Sequence, residues 1–192
     1  CFNSKVKKLI ALSTDKACEP VNLYGATKLC SDKLFIAANQ YAGGSKSGEL
    51  NFSVVRYGNV MGSRGSVIPL FLSCREKGFF PITDNRMTRF MIDLEEGVKL
   101  VWDALSDMIG GEIYIKKISS MKITDIASAI DPNIEQRLIG IRPGEKLHEQ
   151  MIGIEDAPFT FEYEDYFKIL PSINEWYKDP LRIGKGKLVN QD

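Results

Sequence analysis

The sequence has one histidine, His148, and its four cysteines, Cys1, Cys18, Cys30 and Cys74, fall at no metal-ligand or redox spacing. Neither a metal site nor a disulfide framework is expected, and idle thiols point to a reducing cytoplasm. There is no excess of one charge: 25 basic residues stand against 25 acidic ones. No global field therefore draws the chain to nucleic acid or to an anionic membrane, and any bound anion must be held by a local cluster. No apolar run approaches the ~18 residues of a membrane span. The longest is about residues 67–72 (VIPLFL). The chain begins at Cys1, with neither an initiator Met nor a signal-like segment, so an internal start is expected.

What is present suits one good core or two small ones, with 44% apolar residues in 192. Residues 6–12 (VKKLIAL) have the character of a buried strand and run into the polar turn Ser13-Thr14-Asp15-Lys16. Residues 23–41 read as a long helix that Asn22 can cap. A surface loop follows at 43–48, then a strand at 51–57 broken by Gly58, Gly62 and Gly65. Further along, the pattern predicts helices at 67–77 and 123–130, strands at 80–84, 112–115 and 137–141, and a helix start after Gly144. A helix beginning after Asp93 carries Leu94, Val98, Trp102 and Leu105 as its apolar stripe. Met87 and Met91 are expected in the core. From residue 153 the periodicity dissolves into an aromatic and acidic stretch, then a basic tail. Strands alternating with helices indicate an α/β fold with a parallel sheet.

Two polar segments fall at the C-terminal ends of predicted parallel strands, where open α/β sheets place their ligands: residues 13–16 and residues 57–60. Between them lie Tyr24 and Lys28, four residues apart on one helix face and about 6 Å apart along the axis. An ammonium group beside a phenol favours the phenolate, which suits a tyrosine for taking a proton from a hydroxyl. Adjacent acid and base groups such as Asp15 and Lys16 can serve both ends of one elimination. The bland alternatives are a half-buried Tyr beside a solvated Lys, and an exposed ion pair in a turn.

The joint pattern is more specific than any of its parts. LSTDKACEPVNLYGATKLCSDKLF resembles the active-site segment of the inverting UDP-N-acetylglucosamine 4,6-dehydratases of the extended short-chain dehydrogenase/reductase superfamily. RYGNVMGSRGSVIPLF, PITDNRMTRFMIDLEEGV, GGEIYI and IGIRPGEKLHE are similar to that family's later blocks, in the same order. The resemblance runs from about residue 9 to 151, with a weaker echo to about 171. Tyr24, where the configuration-retaining membrane-associated relatives usually carry Met, and Lys16, where most other dehydratases carry Glu, favour the soluble inverting branch. Cys18-Glu19 departs from the small residues expected there, and the 43–48 loop is slightly long.

The resemblance implies the C-terminal part of a Rossmann-type parallel sheet with a small substrate-binding α/β subdomain. Residues 1–62 would be the C-terminal half of the dinucleotide-binding domain and 63–152 mainly the substrate-binding region, with about 93–117 returning to the sheet. Residues 153–192 would be a tail. By the same resemblance Tyr24 and Lys28 contact the nicotinamide cofactor and assist oxidation of sugar carbon-4, and Thr14 binds the sugar oxygen. Lys16 removes the carbon-5 proton and Asp15 releases the carbon-6 hydroxyl as water, with inversion at carbon-5. Asn59, Val67, Thr83, Arg89, Arg142 and Glu145 match positions that contact the UDP-sugar, where Arg forks suit a pyrophosphate.

No GxGxxG or GxxGxxG turn for a dinucleotide occurs. A fragment that is inactive alone is therefore expected. NADP is favoured as cofactor by the resemblance, with NAD as the alternative, and homo-oligomerisation is expected of the full-length enzyme. The competing readings are a sugar-nucleotide epimerase or retaining dehydratase, and a non-catalytic binding module. Intact Asp15, Lys16, Tyr24 and Lys28 argue against the last.

Overall fold

The structure is a computed structural model that describes residues 1, 3, 4, 6–41 and 50–189; the loop expected at 43–48 lies outside them. In chain order the elements are β1 (Lys8–Thr14), α1 (Leu23–Tyr41), β2 (Asn51–Tyr57), β3 (Asn59–Val60), α2 (Val67–Cys74), β4 (Phe79–Ile82) and β5 (Thr88–Ile92). They continue with α3 (Leu94–Asp107), β6 (Ile113–Lys116), β7 (Ser120–Lys122), α4 (Ile123–Ile130), β8 (Glu135–Leu138), β9 (Thr160–Glu162), β10 (Tyr166–Ile169), α5 (Pro180–Ile183) and β11 (Lys187–Leu188). The α/β class expected from the alternation is the one observed.

Two compact units result. The first comprises Cys1–Tyr57, Val98–Lys117 and Gln150–Asp192. Its sheet has the order β1-β2-β6-β10-β9-β11. The first three strands are parallel, with Thr14 beside Tyr57 and Val55 beside Tyr114, and β10, β9 and β11 complete the sheet antiparallel. Val55 and Tyr114 pack against Leu100, Ala104 and Met108 of α3 and the turn after it. The helix predicted after Asp93 is present, and Asp93 Oδ1 accepts the Glu96 amide at its start (2.6 Å). Its predicted stripe is largely corrected: Leu94, Val98 and Trp102 are exposed and Leu105 alone packs on the core, while Leu100, Ala104 and Met108 are buried. Both rows satisfy helical spacing, and only the second faces the sheet.

The second unit comprises Gly58–Gly97 and Ile118–Glu149. It holds a three-stranded sheet, β3-β5-β7, and a parallel pair, β4-β8. Phe71, Phe80, Ile82, Met87, Met91, Ile123 and Ile126 form its core, so both methionines are buried as expected. Gly78 ends the α2 region in the left-handed conformation (φ 74°) that favours glycine. The helix expected after Gly144 is absent; Gly144 is itself left-handed (φ 80°), and the Glu145 amide donates to the Arg142 carbonyl at 3.1 Å, so the segment turns instead.

Residues 160–188, where no periodicity is legible, supply three strands of the first unit's sheet. Their anchor is a buried ion pair. Arg182 and Glu112 are each 1% exposed, and Arg182 Nη1 donates to Glu112 Oε1 at 2.8 Å and to the Gly110 carbonyl. The same carboxylate accepts from Ser53 Oγ (2.6 Å) and the Gly110 amide (2.8 Å), while the guanidinium lies over the Trp176 ring. Removing one partner strands the other in a dry interior. Arg182→Met is therefore expected to destabilise the protein by about 3–5 kcal/mol, read as a drop in the urea midpoint, with Arg182→Met/Glu112→Leu recovering most of the loss.

Candidate active site

The end of β1 turns directly into a 3-10 turn, Asp15–Ala17. Asp15 is wholly buried. Its Oδ1 accepts from Thr14 Oγ1 at 2.9 Å and from Lys16 Nζ at 3.0 Å. Thr14 Oγ1 in turn accepts the Lys16 amide at 3.4 Å. Asp15 Oδ2 makes no hydrogen bond. The pair is thus not the solvent-exposed ion pair of the bland reading: the acid is inside, and the base is 30% exposed.

The helix that follows is brought unusually close. Asn22 Oδ1 accepts the Gly25 amide (2.8 Å) and caps α1 as predicted. A Cβ on Gly25 would run into the Lys16 carbonyl oxygen and lie 2.9 Å from Pro20 Cβ. Only glycine lets the first turn of α1 press on the Asp15–Ala17 backbone. Tyr24 is 53% exposed. Lys28, one helical turn on, donates from Nζ to the Leu12 carbonyl at 2.9 Å, tying the helix back to β1. Thr14, Asp15, Lys16, Tyr24 and Lys28 therefore gather in one region of the first unit, where β1 ends and α1 begins, with Asp15 beneath the others. Tyr57, beside Thr14 in the sheet, joins them. Burial, with the Tyr24 phenol second, pushes the Tyr57 hydroxyl above the ordinary tyrosine range, so it stays a neutral donor.

Below this region lies a polar cluster that sequence reasoning missed. Ser13 Oγ donates to Asp32 Oδ2 (2.8 Å), and Arg56 Nη2 donates to the same oxygen (3.3 Å). Arg56 Nη1 reaches the Met151 carbonyl (2.8 Å) and Asp156 Oδ2 (3.4 Å). Desolvation pushes the Asp32 carboxyl above its usual range, opposed by Ser13 and Arg56. Two signals pointed here: Arg56 is the lone charge in the apolar strand NFSVVRY, and Asp32 repeats the Tyr24–Lys28 spacing one turn further on.

The six residues matched to UDP-sugar contacts all lie in the second unit. Asn59 is on β3, which pairs with β5 through Asn59 beside Met91. Arg89 of β5 is 7% exposed, with Nη1 donating to the carbonyls of Thr88 (2.7 Å) and Leu147 (3.2 Å). Glu145 Oε2 accepts the Arg142 amide at 3.2 Å, which closes the Arg-Pro-Gly-Glu turn, and the Arg142 side chain stays 65% exposed. His148, expected on a helix, is instead in the turn segment, and its Nδ1 lies 2.8 Å from Thr88 Oγ1. β5 and the 142–148 segment are thus joined through Arg89 with Leu147 and through Thr88 with His148. Val67 packs on the core and Thr83 Oγ1 is turned to Met87 Sδ (3.0 Å), so these two have local structural partners. Nearby, Arg86 donates Nε, Nη2 and its amide to Asp84, which holds that carboxyl down at about 2. Among the described residues no group of His, Cys, Asp or Glu is arranged to hold a metal, and no helix is long and apolar enough to cross a membrane.

Parallel strands flanked by helices, with polar groups gathered at the strand ends, define a Rossmann-type α/β protein. The chain belongs to the polysaccharide biosynthesis protein family, whose model matches residues 1–171. It is 59% identical over 181 residues to the inverting UDP-N-acetylglucosamine 4,6-dehydratase of Campylobacter jejuni subsp. jejuni serotype O:2, covering 93% of this chain and 53% of that protein. The enzyme of the same name from serotype O:23/36 is 60% identical over 175 residues, covering 90% and 52%. Among solved structures, that of Pen from Bacillus thuringiensis is similar with a TM-score of 0.81 at 37% identity, covering 90% of this chain and 55% of that one. The chain spans about half the length of the curated relatives it matches.

The close approach at Gly25 can be tested against a glycine with room. Gly97, also helical, has nothing within 4 Å of an added Cβ. Gly97→Ala is expected to raise stability by about 0.5–1 kcal/mol, whereas Gly25→Ala lowers it by about 1–3 kcal/mol. Paired thermal melts check both signs.

Proposed function

We propose that the protein carrying this chain is an inverting UDP-N-acetylglucosamine 4,6-dehydratase that works with a nicotinamide cofactor. The observation that carries the reading is the buried Asp15–Lys16 contact placed against the helix that bears Tyr24 and Lys28. The likeness to the two Campylobacter enzymes supports it. In this reading the first unit is the cofactor side and the second holds the nucleotide sugar, through Asn59, Arg89, Arg142 and Glu145. Val67 and Thr83 would line that site more from the core than by polar contact.

The half-exposed Tyr24 phenol and the partly exposed Lys28, whose ammonium sits on the Leu12 carbonyl of β1, fit a nicotinamide group, which supplies a reversible hydride acceptor. NADP is the form favoured, with NAD as the alternative. Tyr24 takes the proton of the carbon-4 hydroxyl, helped by the Lys28 charge, and Thr14 and Tyr57 offer hydroxyls to the same oxygen.

Asp15 and Lys16 then share the elimination. Together they hold one proton in their 3.0 Å contact. Moved from Nζ to the carboxylate, that proton leaves a neutral amine and a carboxylic acid. The amine takes the proton from carbon-5 and the acid gives its proton to the departing carbon-6 hydroxyl, so water leaves and the ion pair is restored. Elimination needs no proton from outside the pair. An epimerase would need no such pair, because it breaks no carbon–oxygen bond of this kind.

The experiment joins this chain to a glycine-rich dinucleotide-binding half and supplies UDP-N-acetylglucosamine and catalytic cofactor in heavy water. A product lighter by one water, with deuterium on an inverted carbon-5, is the expected result. Lys16→Ala and Asp15→Asn are each expected to cut dehydration by about 10²–10⁴-fold while substrate affinity holds. Undiminished dehydration in Lys16→Ala returns the pair to a structural role, and a wild type that only interconverts carbon-4 epimers overturns the dehydratase reading.

A further inference from the structure

The Ser13–Asp32–Arg56 cluster is buried, charged and absent from the chemistry just derived. It touches the site from three directions. Ser13 is bonded to Thr14 in the chain, Asp32 lies one turn beyond Lys28 on α1, and Arg56 stands beside Ser13 in the sheet. Asp32 and Arg56 are each 1% exposed. An ion pair so deep is seldom worth keeping for stability, since apolar replacement is often neutral or better. Its retention points to geometry.

The other arm of Arg56 shows what that geometry is. Nη1 holds the Met151 carbonyl and Asp156, residues 95 and 100 positions away. The same loop meets the Asp15 turn directly. Glu19, in a left-handed conformation (φ 46°), turns its Oε1 to the Ile154 amide at 3.5 Å. A Cβ on Gly153 would sit 3.5 Å from Cys18 Sγ. The Cys18-Glu19 departure from the expected small residues therefore falls where the turn meets this loop.

We infer that Arg56, held by Asp32, is a positioning residue: one guanidinium locks residues 151–156 onto the turn that carries Asp15 and Lys16. This rests on the dehydratase reading for its kinetic consequence, though not for its structural one. A planar guanidinium can span two acceptors on opposite sides; a lysine ammonium on a flexible stem cannot hold both in fixed geometry. A shift of the acid–base pair by an ångström is enough to cost about 10²-fold in rate.

The test uses Arg56→Lys, which keeps the charge, and Arg56→Met/Asp32→Leu, which removes both charges so that neither is left buried alone. Each is read by kcat and KM for UDP-N-acetylglucosamine, by thermal melting, and by amide hydrogen exchange of residues 13–17 and 151–156. The expected result is a folded protein whose kcat falls about 10- to 100-fold with KM within about threefold. Exchange should rise in both segments together. Arg56→Lys should fall between the wild type and the double variant. If either variant folds with kcat within about twofold of wild type and with exchange unchanged, the inference is overturned. A wild type without dehydratase activity overturns the functional reading alone, and the joint rise in exchange then still decides the role of Arg56.

Discussion

A carboxylate taken wholly out of water constrains everything around the candidate site. A buried carboxyl without partners is costly, and Asp15 is met by its own chain neighbours, Thr14 and Lys16. The turn is therefore self-sufficient in charge, and the rest of the first unit has only to press on it. Gly25 allows the helix to approach, Lys28 ties that helix to the strand, and Arg56 closes the underside. Each device depends on a different residue type for a reason particular to that type: no Cβ, a long flexible cation, a planar fork.

The two units are built on different plans. The first spends its polar residues inside, in the Asp32–Arg56 and Glu112–Arg182 pairs, and so fixes backbone segments far apart in sequence. The second has an almost purely apolar core of Phe71, Phe80, Ile82 and their neighbours, and its charged groups, Asp84 with Arg86 and Glu135 with Arg137, are local pairs across short turns. The first unit thus ties distant backbone segments together through buried charge, and the second settles its charges within short turns.

How much of this was legible in the sequence depended on whether the signal was local. The helix at 23–41 and its Asn22 cap are consequences of adjacent residues and read correctly, and the strand predicted at 6–12 is present two residues further on, at Lys8–Thr14. The stripe on α3 read correctly only at Leu105, because Leu94–Val98–Trp102 and Leu100–Ala104–Met108 satisfy the same period and only the sheet decides between them. Strands β9 to β11 were invisible for a related reason. They are two to four residues long, and they are strands because β6 offers an edge. At the site, the adjacent residues and the i, i+4 pair were readable. The Ser13–Asp32–Arg56 cluster was not, since Met151 and Asp156 come to it from a hundred residues away.

The pairing of Glu112 with Arg182 links the middle of the sheet to the short helix α5. Glu112 has Arg182 as its one cationic partner among the described residues, and Arg182 has besides it only Asp179, at 3.7 Å, so neither position is free to drift by itself. Lineages of this protein should change the two positions together or leave both alone. The α5 segment is then under the same selection as the residue that leads into β6.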